Sequence, residues 1–290
     1  MSVDLTSAEN SVRRPVRRPA RLHLAGVPVD RMTMRDSLQW IAAELHNRPL
    51  RTKPLLVMGP NAHIVNTAQR SPDFRSALAA ADLCVPDGIS VVLAGLLLGQ
   101  PIPERVTGGD LMEKLCDLAA RENLSVFFLG GLPGAAEGAA AVLKRRYPGL
   151  RVHTCCPPLH FEQDPAELKI VLDTIRADEP DILCVALGVP RQEIWMQRHC
   201  ASLPIRLAIS VGAALDTQAG LRRRAPVWTR KLGLEWAYRL AREPRRLWRR
   251  YLIGNTQFIF LVLAAWWRQR DAKQCPLTST AKTQQTTRQK

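Results

Sequence analysis

The sequence lacks several patterns by which proteins hold metal ions, disulfides or a membrane span. It has no C-x-x-C pair, and its seven cysteines stand at irregular spacings, which excludes the common zinc sites and a disulfide framework. It also has no D-x-D pair, the paired carboxylates that commonly hold a divalent ion on a diphosphate. Its longest uninterrupted apolar run, residues 258–267, is about half of what spans a bilayer. The Arg-rich N-terminus lacks the apolar stretch of a signal peptide, so we expect a cytoplasmic protein with reduced thiols.

Positive charge is concentrated near the C-terminus. The chain carries a net charge of +15, yet residues 22–221 are nearly neutral, with 19 basic and 21 acidic side chains. Residues 222–270 hold thirteen basic and two acidic side chains, interleaved with tryptophan and tyrosine. A nucleic-acid-coating protein would be basic throughout. The distribution therefore disfavours nucleic acid as a partner and favours a neutral body with a cationic docking segment.

Apolar strands alternate with helical segments along most of the chain. The runs PLLVM, SVFFLG, DILCVALG and IRLAISVG are mostly apolar, and each leads through a turn into a helical stretch. Strands without polar alternation, separated by helices, indicate a parallel sheet covered on both faces. We predict a Rossmann-like α/β fold with a mostly parallel sheet and a C-terminal helical appendage. The helix predicted from ISVVLAGLLLG is expected to be mostly buried, because it is almost entirely apolar.

Composition divides the chain into four segments. Residues 1–21 are predicted to be a disordered basic segment, and residues 22–220 form the Rossmann-like body. Residues 221–270 form an Arg/Trp-rich appendage whose helices are interrupted by prolines. Residues 271–290 are a polar tail that we expect to be disordered.

Candidate ligand-binding residues follow the predicted strands, where open α/β sheets bind their ligands. Asp87, between Pro86 and Gly88, is either a general base or the N-cap of the next helix. Asn61 either binds a sugar hydroxyl or caps a helix.

Further candidates have similar alternatives. Gly130 and Gly131 miss the spacing of the dinucleotide fingerprint, and either let backbone N–H groups approach a phosphate or form a tight turn. Arg105 and Asp110 either pair with each other or contact a substrate, and Asp110 is also a good N-cap.

The basic segment near the C-terminus has two prominent features. The run Arg222, Arg223 and Arg224 is suited to bidentate phosphate contacts, or is a solvated charge run. The tryptophans and tyrosines among the arginines suit an anionic bilayer surface, single-stranded nucleic acid or a protein core, and we favour the bilayer.

Together these motifs resemble the WecG/TagA/CpsF glycosyltransferase family (glycosyltransferase family 26). The resemblance covers about residues 25–270. It is carried, in order, by PDG (86–88), ERVTGGD (104–110), FLGGLPG (128–134), YPGL (147–150), GVPRQEIW (188–195), VGAALDTQAGLRRRAPVW (211–228) and GLEWAYRLAREPRRLWRRY (233–251).

The resemblance implies an inverting, metal-independent and cofactor-free transfer. A UDP-sugar would donate a sugar to a polyprenyl-diphosphate-linked sugar acceptor, in surface or extracellular polysaccharide biosynthesis. The protein would act as a peripheral protein on the inner face of the cell membrane, bound to its anionic surface. A non-catalytic nucleotide-binding or membrane-docking module is the alternative.

The resemblance also implies roles for particular residues. Asp87 would be the catalytic base. The sugars would be positioned by Asn61, Arg105, Asp110, Gln192, Glu193 and Asp216, the nucleotide bound at Gly130 and Gly131, and the diphosphate neutralised by Arg222, Arg223 and Arg224. Many members have Thr where this chain has Gly59. Since that hydroxyl is lost, and since members use both N-acetylmannosamine-type and glucose-type donors, the resemblance leaves the sugar open.

Overall fold

A six-stranded sheet organises the computed structural model, which describes residues 20–47, 53–226, 228–229 and 233–274. The described strands are β1 (Arg21–Leu24), β2 (Val27–Asp30), β3 (Leu55–Met58), β4 (Leu83–Cys84), β5 (Ser125–Gly130), β6 (Arg151–Cys155), β7 (Ile182–Ala186) and β8 (Leu207–Ser210). The described α-helices are α1 (Met34–Asn47), α2 (Ala62–Ala68), α3 (Pro72–Ala79), α4 (Ile89–Leu97), α5 (Gly108–Glu122), α6 (Ala135–Arg146), α7 (Pro165–Asp178), α8 (Arg191–His199), α9 (Ala214–Gln218), α10 (Glu235–Arg242), α11 (Pro244–Trp248) and α12 (Gly254–Gln274). Arg249–Ile253 forms a π-helical turn between α11 and α12.

The sheet is parallel, in the order β4-β3-β8-β7-β5-β6. Every residue of β3, β5, β7 and β8 is buried. Strands that are apolar on both faces need a layer of helices on each side, and the chain supplies them. The predicted α/β fold with a parallel sheet and a C-terminal helical segment is confirmed. The strands β1 and β2 form a separate antiparallel hairpin.

Two apolar clusters, one on each face of the sheet, form the core. Phe127 and Phe128 are neighbours on β5 and belong to different clusters, because successive strand residues point to opposite faces. One cluster includes side chains of the hairpin, α2, α3 and α8, and the other includes side chains of α1, α5 and α6.

The C-terminal helix α12 is part of the first cluster. Phe258 and Val262 are 4% and 7% exposed, and α12 packs along α2. At its start, the amide of Asn66 donates to the carbonyl of Gly254 at 2.6 Å. The predicted appendage is thus joined to the body by a core contact. Within the described ranges, no helix is long and apolar enough to cross a membrane.

The ordered fold extends slightly beyond the predicted boundaries. Arg21, placed in the disordered N-terminal segment, begins β1 and pairs with Asp30 at 2.7 Å. Residues 271–274, placed in the disordered tail, continue α12. The rest of those two segments, residues 1–19 and 275–290, lies outside the described residues.

The expectation that α4 is mostly buried is wrong. Its buried residues are Val91, Ala94 and Gly95. Leu93, Leu96 and Leu97 on its other side are 57%, 66% and 46% exposed.

Candidate active site

Asp87 and Asn61 follow neighbouring strands and meet at the carboxyl edge of the sheet. Asp87 comes shortly after β4, and Asn61 shortly after β3. The Asn61 side-chain oxygen accepts the backbone N–H of Ile64 at 3.2 Å, which caps α2. Its amide nitrogen donates to Asp87 Oδ2 at 3.5 Å. Asn61 therefore caps its helix and also contacts Asp87, and its binding of a sugar hydroxyl stays a prediction.

Asp87 is not the N-cap of α4. The cap is Gly88, and no side chain accepts a hydrogen bond there. The Asp87 backbone N–H is held by the Pro60 carbonyl at 3.0 Å. Asp87 is half-buried as a residue, and it stands at the edge of the sheet where open α/β folds bind their ligands.

Gly59 packs directly against the side chain of Asp87. A Cβ atom added at Gly59 would lie 3.1 Å from the Asp87 Cβ. A threonine at this position would therefore contact the carboxyl-bearing side chain, and here that contact is absent. The departure from the family pattern lies at the candidate catalytic group.

The surroundings of Asp87 raise its pKa to about 7. Burial in the protein is the largest cause, and the negative charge of Glu235 adds to it. Arg239, Arg105 and the Asn61 hydrogen bond act in the opposite direction and lower the pKa. A carboxylate with a pKa near neutrality is a far better proton acceptor than an ordinary aspartate and remains substantially ionised at pH 7.

Glu235 links the C-terminal segment to this site. Its Oε2 atom pairs with Arg105 Nη1 at 3.1 Å, and its Oε1 atom pairs with Arg239 one turn along α10. The Arg105 and Glu235 side chains are 20% and 17% exposed, so the pair is largely shielded from solvent. The alternative pairing of Arg105 with Asp110 is wrong.

Asp110 instead pairs with Arg224. It occupies the third position of α5, whose N-cap is Thr107. The Thr107 hydroxyl accepts the Asp110 backbone N–H at 3.1 Å and donates to the Asp110 carboxylate at 2.7 Å. The helix is capped three residues before Asp110, so the expectation that Asp110 itself is the N-cap is wrong.

Asp216 holds Arg222 beside the glycine turn after β5. Arg222 Nε lies 3.2 Å from Asp216 Oδ2, and Asp216 Oδ1 accepts the backbone N–H of Leu132 at 2.9 Å. Asp216 is 4% exposed. Of the three consecutive arginines, Arg222 and Arg224 are thus paired with carboxylates, and Arg223 is exposed with no ion pair within the described residues.

Gly130 and Gly131 form a tight turn. Both have φ near +91°, a conformation that favours glycine. The Gly131 N–H donates to the Ala186 carbonyl at 3.0 Å. Because that N–H and the one of Leu132 are already bonded, a phosphate at this turn would have to use other donors. Phosphate binding here stays a prediction.

Gln192 and Glu193 are buried at the start of α8, at 3% and 0% exposure. The Gln192 amide donates to Glu193 Oε1 at 2.7 Å, and its carbonyl accepts the backbone N–H of Gly212 at 3.2 Å. Burial raises the pKa of Glu193 to about 7. In this arrangement neither side chain is open to a sugar, and together they join the loops after β7 and β8.

Sequence reasoning missed Glu235 and Arg239. Their i, i+4 spacing on a helix is a signal for an ion pair, but within this segment the sequence predicts site roles for Arg222, Arg223 and Arg224 alone. The contact of Glu235 with Arg105, 130 residues earlier in the chain, depends on packing that no local sequence pattern predicts.

Comparison with known proteins identifies the family of this chain. A family model described as "Glycosyl transferase WecG/TagA/CpsF family" matches residues 22–272. The chain belongs to the WecG/TagA/CpsF family. It is therefore a glycosyltransferase, and the alternative of a non-catalytic module is set aside.

Two curated relatives carry the same name, N-acetylglucosaminyldiphosphoundecaprenol N-acetyl-beta-D-mannosaminyltransferase. The protein from Bacillus spizizenii is 33% identical over 202 residues, covering 70% of this chain and 76% of the relative. The protein from Staphylococcus aureus is 30% identical over 230 residues, covering 79% of this chain and 88% of the relative.

Proposed function

We propose that this glycosyltransferase moves a sugar from a UDP-sugar to a sugar carried on a polyprenyl diphosphate. The observation that carries the proposal is Asp87, a half-buried residue at the carboxyl edge of the sheet whose carboxyl group has a pKa of about 7. The relatives' names describe a sugar acceptor on undecaprenyl diphosphate. By this resemblance the product belongs to surface or extracellular polysaccharide biosynthesis.

Asp87 is the base of the proposed reaction. One of its carboxylate oxygens takes the proton of the acceptor hydroxyl, whose oxygen attacks the anomeric carbon of the donor sugar. The bond from that carbon to the UDP oxygen breaks on the opposite face, which inverts the configuration. The donated hydrogen bond from Asn61 keeps the carboxylate oriented.

Cationic side chains compensate the diphosphate charge. Arg105 and Arg239 lie near Asp87 and act on its pKa, and Arg222, Arg223 and Arg224 form the second basic group. Fixed cations of this kind stabilise a leaving diphosphate without a metal ion. We expect Asp110 and Asp216 to contribute by orienting Arg224 and Arg222, with which they are paired.

The donor is N-acetylmannosamine-type or glucose-type. The names of the relatives favour the first, whereas Gly59 removes a side chain beside Asp87 that many family members have. We expect the enzyme to act as a peripheral protein at the inner face of the cell membrane, because its proposed acceptor is lipid-linked. The Arg- and Trp-rich C-terminal segment supports binding to an anionic surface.

Thin-layer separation of products tests the proposal. Purified protein is incubated with a panel of radiolabelled UDP-sugars, including UDP-N-acetylmannosamine and UDP-glucose, and a polyprenyl-diphosphate-linked N-acetylglucosamine acceptor. Transfer by the wild type and loss of transfer in Asp87→Asn are expected. Asp173→Asn, which changes an exposed carboxylate on α7, serves as the control and should keep wild-type turnover. Absence of transfer from every UDP-sugar would contradict the proposed donor class.

A further inference from the structure

Helix α4 presents an apolar face to solvent directly after the candidate base. Leu93, Leu96 and Leu97, here called the leucine face, are each about half exposed or more. Their i, i+3 and i+4 spacing places them on one side of the helix. Residues 88–99 contain no charged side chain. A cluster of exposed leucines on the solvent-facing side of a helix indicates a contact surface.

The position of this face relative to Asp87 is fixed by the helix itself. Gly88 caps α4, so Leu93 to Leu97 lie roughly 9 to 15 Å along the helix axis from Asp87. The opposite side of α4 is packed closely on the body. A Cβ atom at Gly95 would lie 2.8 Å from the Gln100 carbonyl oxygen. The leucine face therefore cannot turn inward.

The face is continuous with the C-terminal segment. Gly233 lies against Ile89, since a Cβ at Gly233 would be 2.9 Å from Ile89 Cγ1. Ile89 is one turn before Leu93 on the same side of α4. The residues that follow Gly233 include Leu234 and Trp236, which are 42% and 37% exposed. The apolar face thus begins where the basic segment crosses the helix.

We propose that the leucine face of α4 is a second membrane-contacting surface, through which the body itself enters the apolar region of the bilayer beside the active site. The proposal rests on the proposed function, because a polyprenyl diphosphate acceptor has its hydrocarbon chain in the membrane and its sugar at Asp87. A helix that begins two residues after Asp87 and is apolar on its outer side suits that geometry.

Charge favours a bilayer over a second copy of the chain. Residues 222–270 carry thirteen basic and two acidic side chains, and this segment borders the leucine face at Gly233. A symmetric dimer through α4 would bring two such segments together, and like charges repel. An anionic lipid surface matches an apolar face bordered by cations.

Co-sedimentation with vesicles of equal parts phosphatidylglycerol and phosphatidylcholine tests the proposal. The full-length wild type is compared with the triple variant Leu93→Gln, Leu96→Gln and Leu97→Gln over a salt series. Loss of three interfacial leucines should lower the partition coefficient about 10- to 100-fold. The slope against salt should stay unchanged, because the cations are untouched.

Two further variants sharpen the test. The double change Leu159→Gln and Ile170→Gln removes exposed apolar side chains elsewhere, at 77% and 58% exposure, and should leave the partition coefficient within about twofold of wild type. The single change Leu96→Gln should give a partial loss. A triple variant that sediments like wild type at every salt concentration overturns the proposal.

Other outcomes separate this proposal from the proposed function. If wild type is a dimer by sedimentation velocity, the triple variant is a monomer and vesicle binding is unchanged, α4 is a protein interface and the proposal fails. Asp87→Asn should bind vesicles like wild type while losing transfer. Conversely, the triple variant should keep transfer to a water-soluble, short-chain acceptor. Loss of vesicle binding thus tests α4 and loss of transfer tests Asp87.

Discussion

Replacing Asp87 by asparagine should abolish most activity and at the same time stabilise the fold. General-base catalysis typically contributes about 10²–10⁴-fold, and turnover should fall by that order. Asparagine keeps the size of the side chain and an oxygen that accepts from Asn61. The stabilising effect follows from the pKa of Asp87, which is raised from 3.8 to about 7.

The sign and size of this effect follow from proton linkage. A carboxyl whose folded pKa lies above its unfolded value favours folding only while it is protonated. Its contribution is intact below pH 4, is lost as the pH rises from about 4 to about 7, and is constant above that range. A shift of about three pKa units corresponds to about 4 kcal/mol at most. Asparagine does not titrate, so the variant avoids this loss.

Chemical denaturation at pH 5 and pH 8 measures the difference. The variant should gain stability relative to wild type at pH 8, and gain less at pH 5, with the two values differing by about 2–3 kcal/mol. Equal gains at both pH values would refute the raised pKa. Near-wild-type turnover in the same preparation would refute the assignment of the base.

Three other perturbations test the electrostatics around Asp87, the independence from metal ions and the packing of α12. Glu235→Gln removes the negative charge that raises the pKa of Asp87. The rising limb of kcat/KM against pH should therefore move to lower pH, whereas the control Asp173→Asn should leave it in place; an unmoved limb in Glu235→Gln would contradict the electrostatic coupling. Turnover should persist after exhaustive treatment with EDTA, because fixed cations serve the diphosphate, and full loss restored by Mn²⁺ or Mg²⁺ would show the opposite. Phe258→Ala should lower the free energy of unfolding by about 3 kcal/mol, while Phe260→Ala, at 67% exposure, should change it by less than about 0.5 kcal/mol. Similar values for the two variants would show that α12 is not packed in the core.

The sheet could be predicted from sequence because its strands have a strong local signal. Five of the six are buried at every position, and short apolar runs that alternate with helices are typical of a parallel sheet. The error at α4 has the opposite origin. Leu93 and Leu96 face solvent while Val91 and Ala94 face the core, and no charged residue in the helix marks its outer side. The apolar sequence of α4 therefore lacks the periodicity from which the exposed side of a helix can be predicted.

The candidate site was predictable only where strand ends define it. Asp87 and Asn61 follow adjacent parallel strands, so the topology alone brings them together. Gln192 and Glu193 follow another strand of the same sheet but turn inward, since Gln192 is held by Gly212 and Glu193. Strand order predicts which loops share an edge. It does not predict which side chains in those loops face the ligand.

Helix α10 gives the C-terminal segment a place in the active site as well as on the surface. Glu235 points inward to Arg105, whereas its neighbour Trp236 is 37% exposed. Successive helical residues are turned by roughly 100°, so one short helix presents Glu235 to the site and Trp236 to solvent. Arg222 and Arg224 are likewise held by carboxylates of the body. Within its described residues, the basic segment is therefore held to the body by ion pairs at Arg222, Arg224 and Glu235, and through Glu235 and Arg239 it contributes to the electrostatics of Asp87.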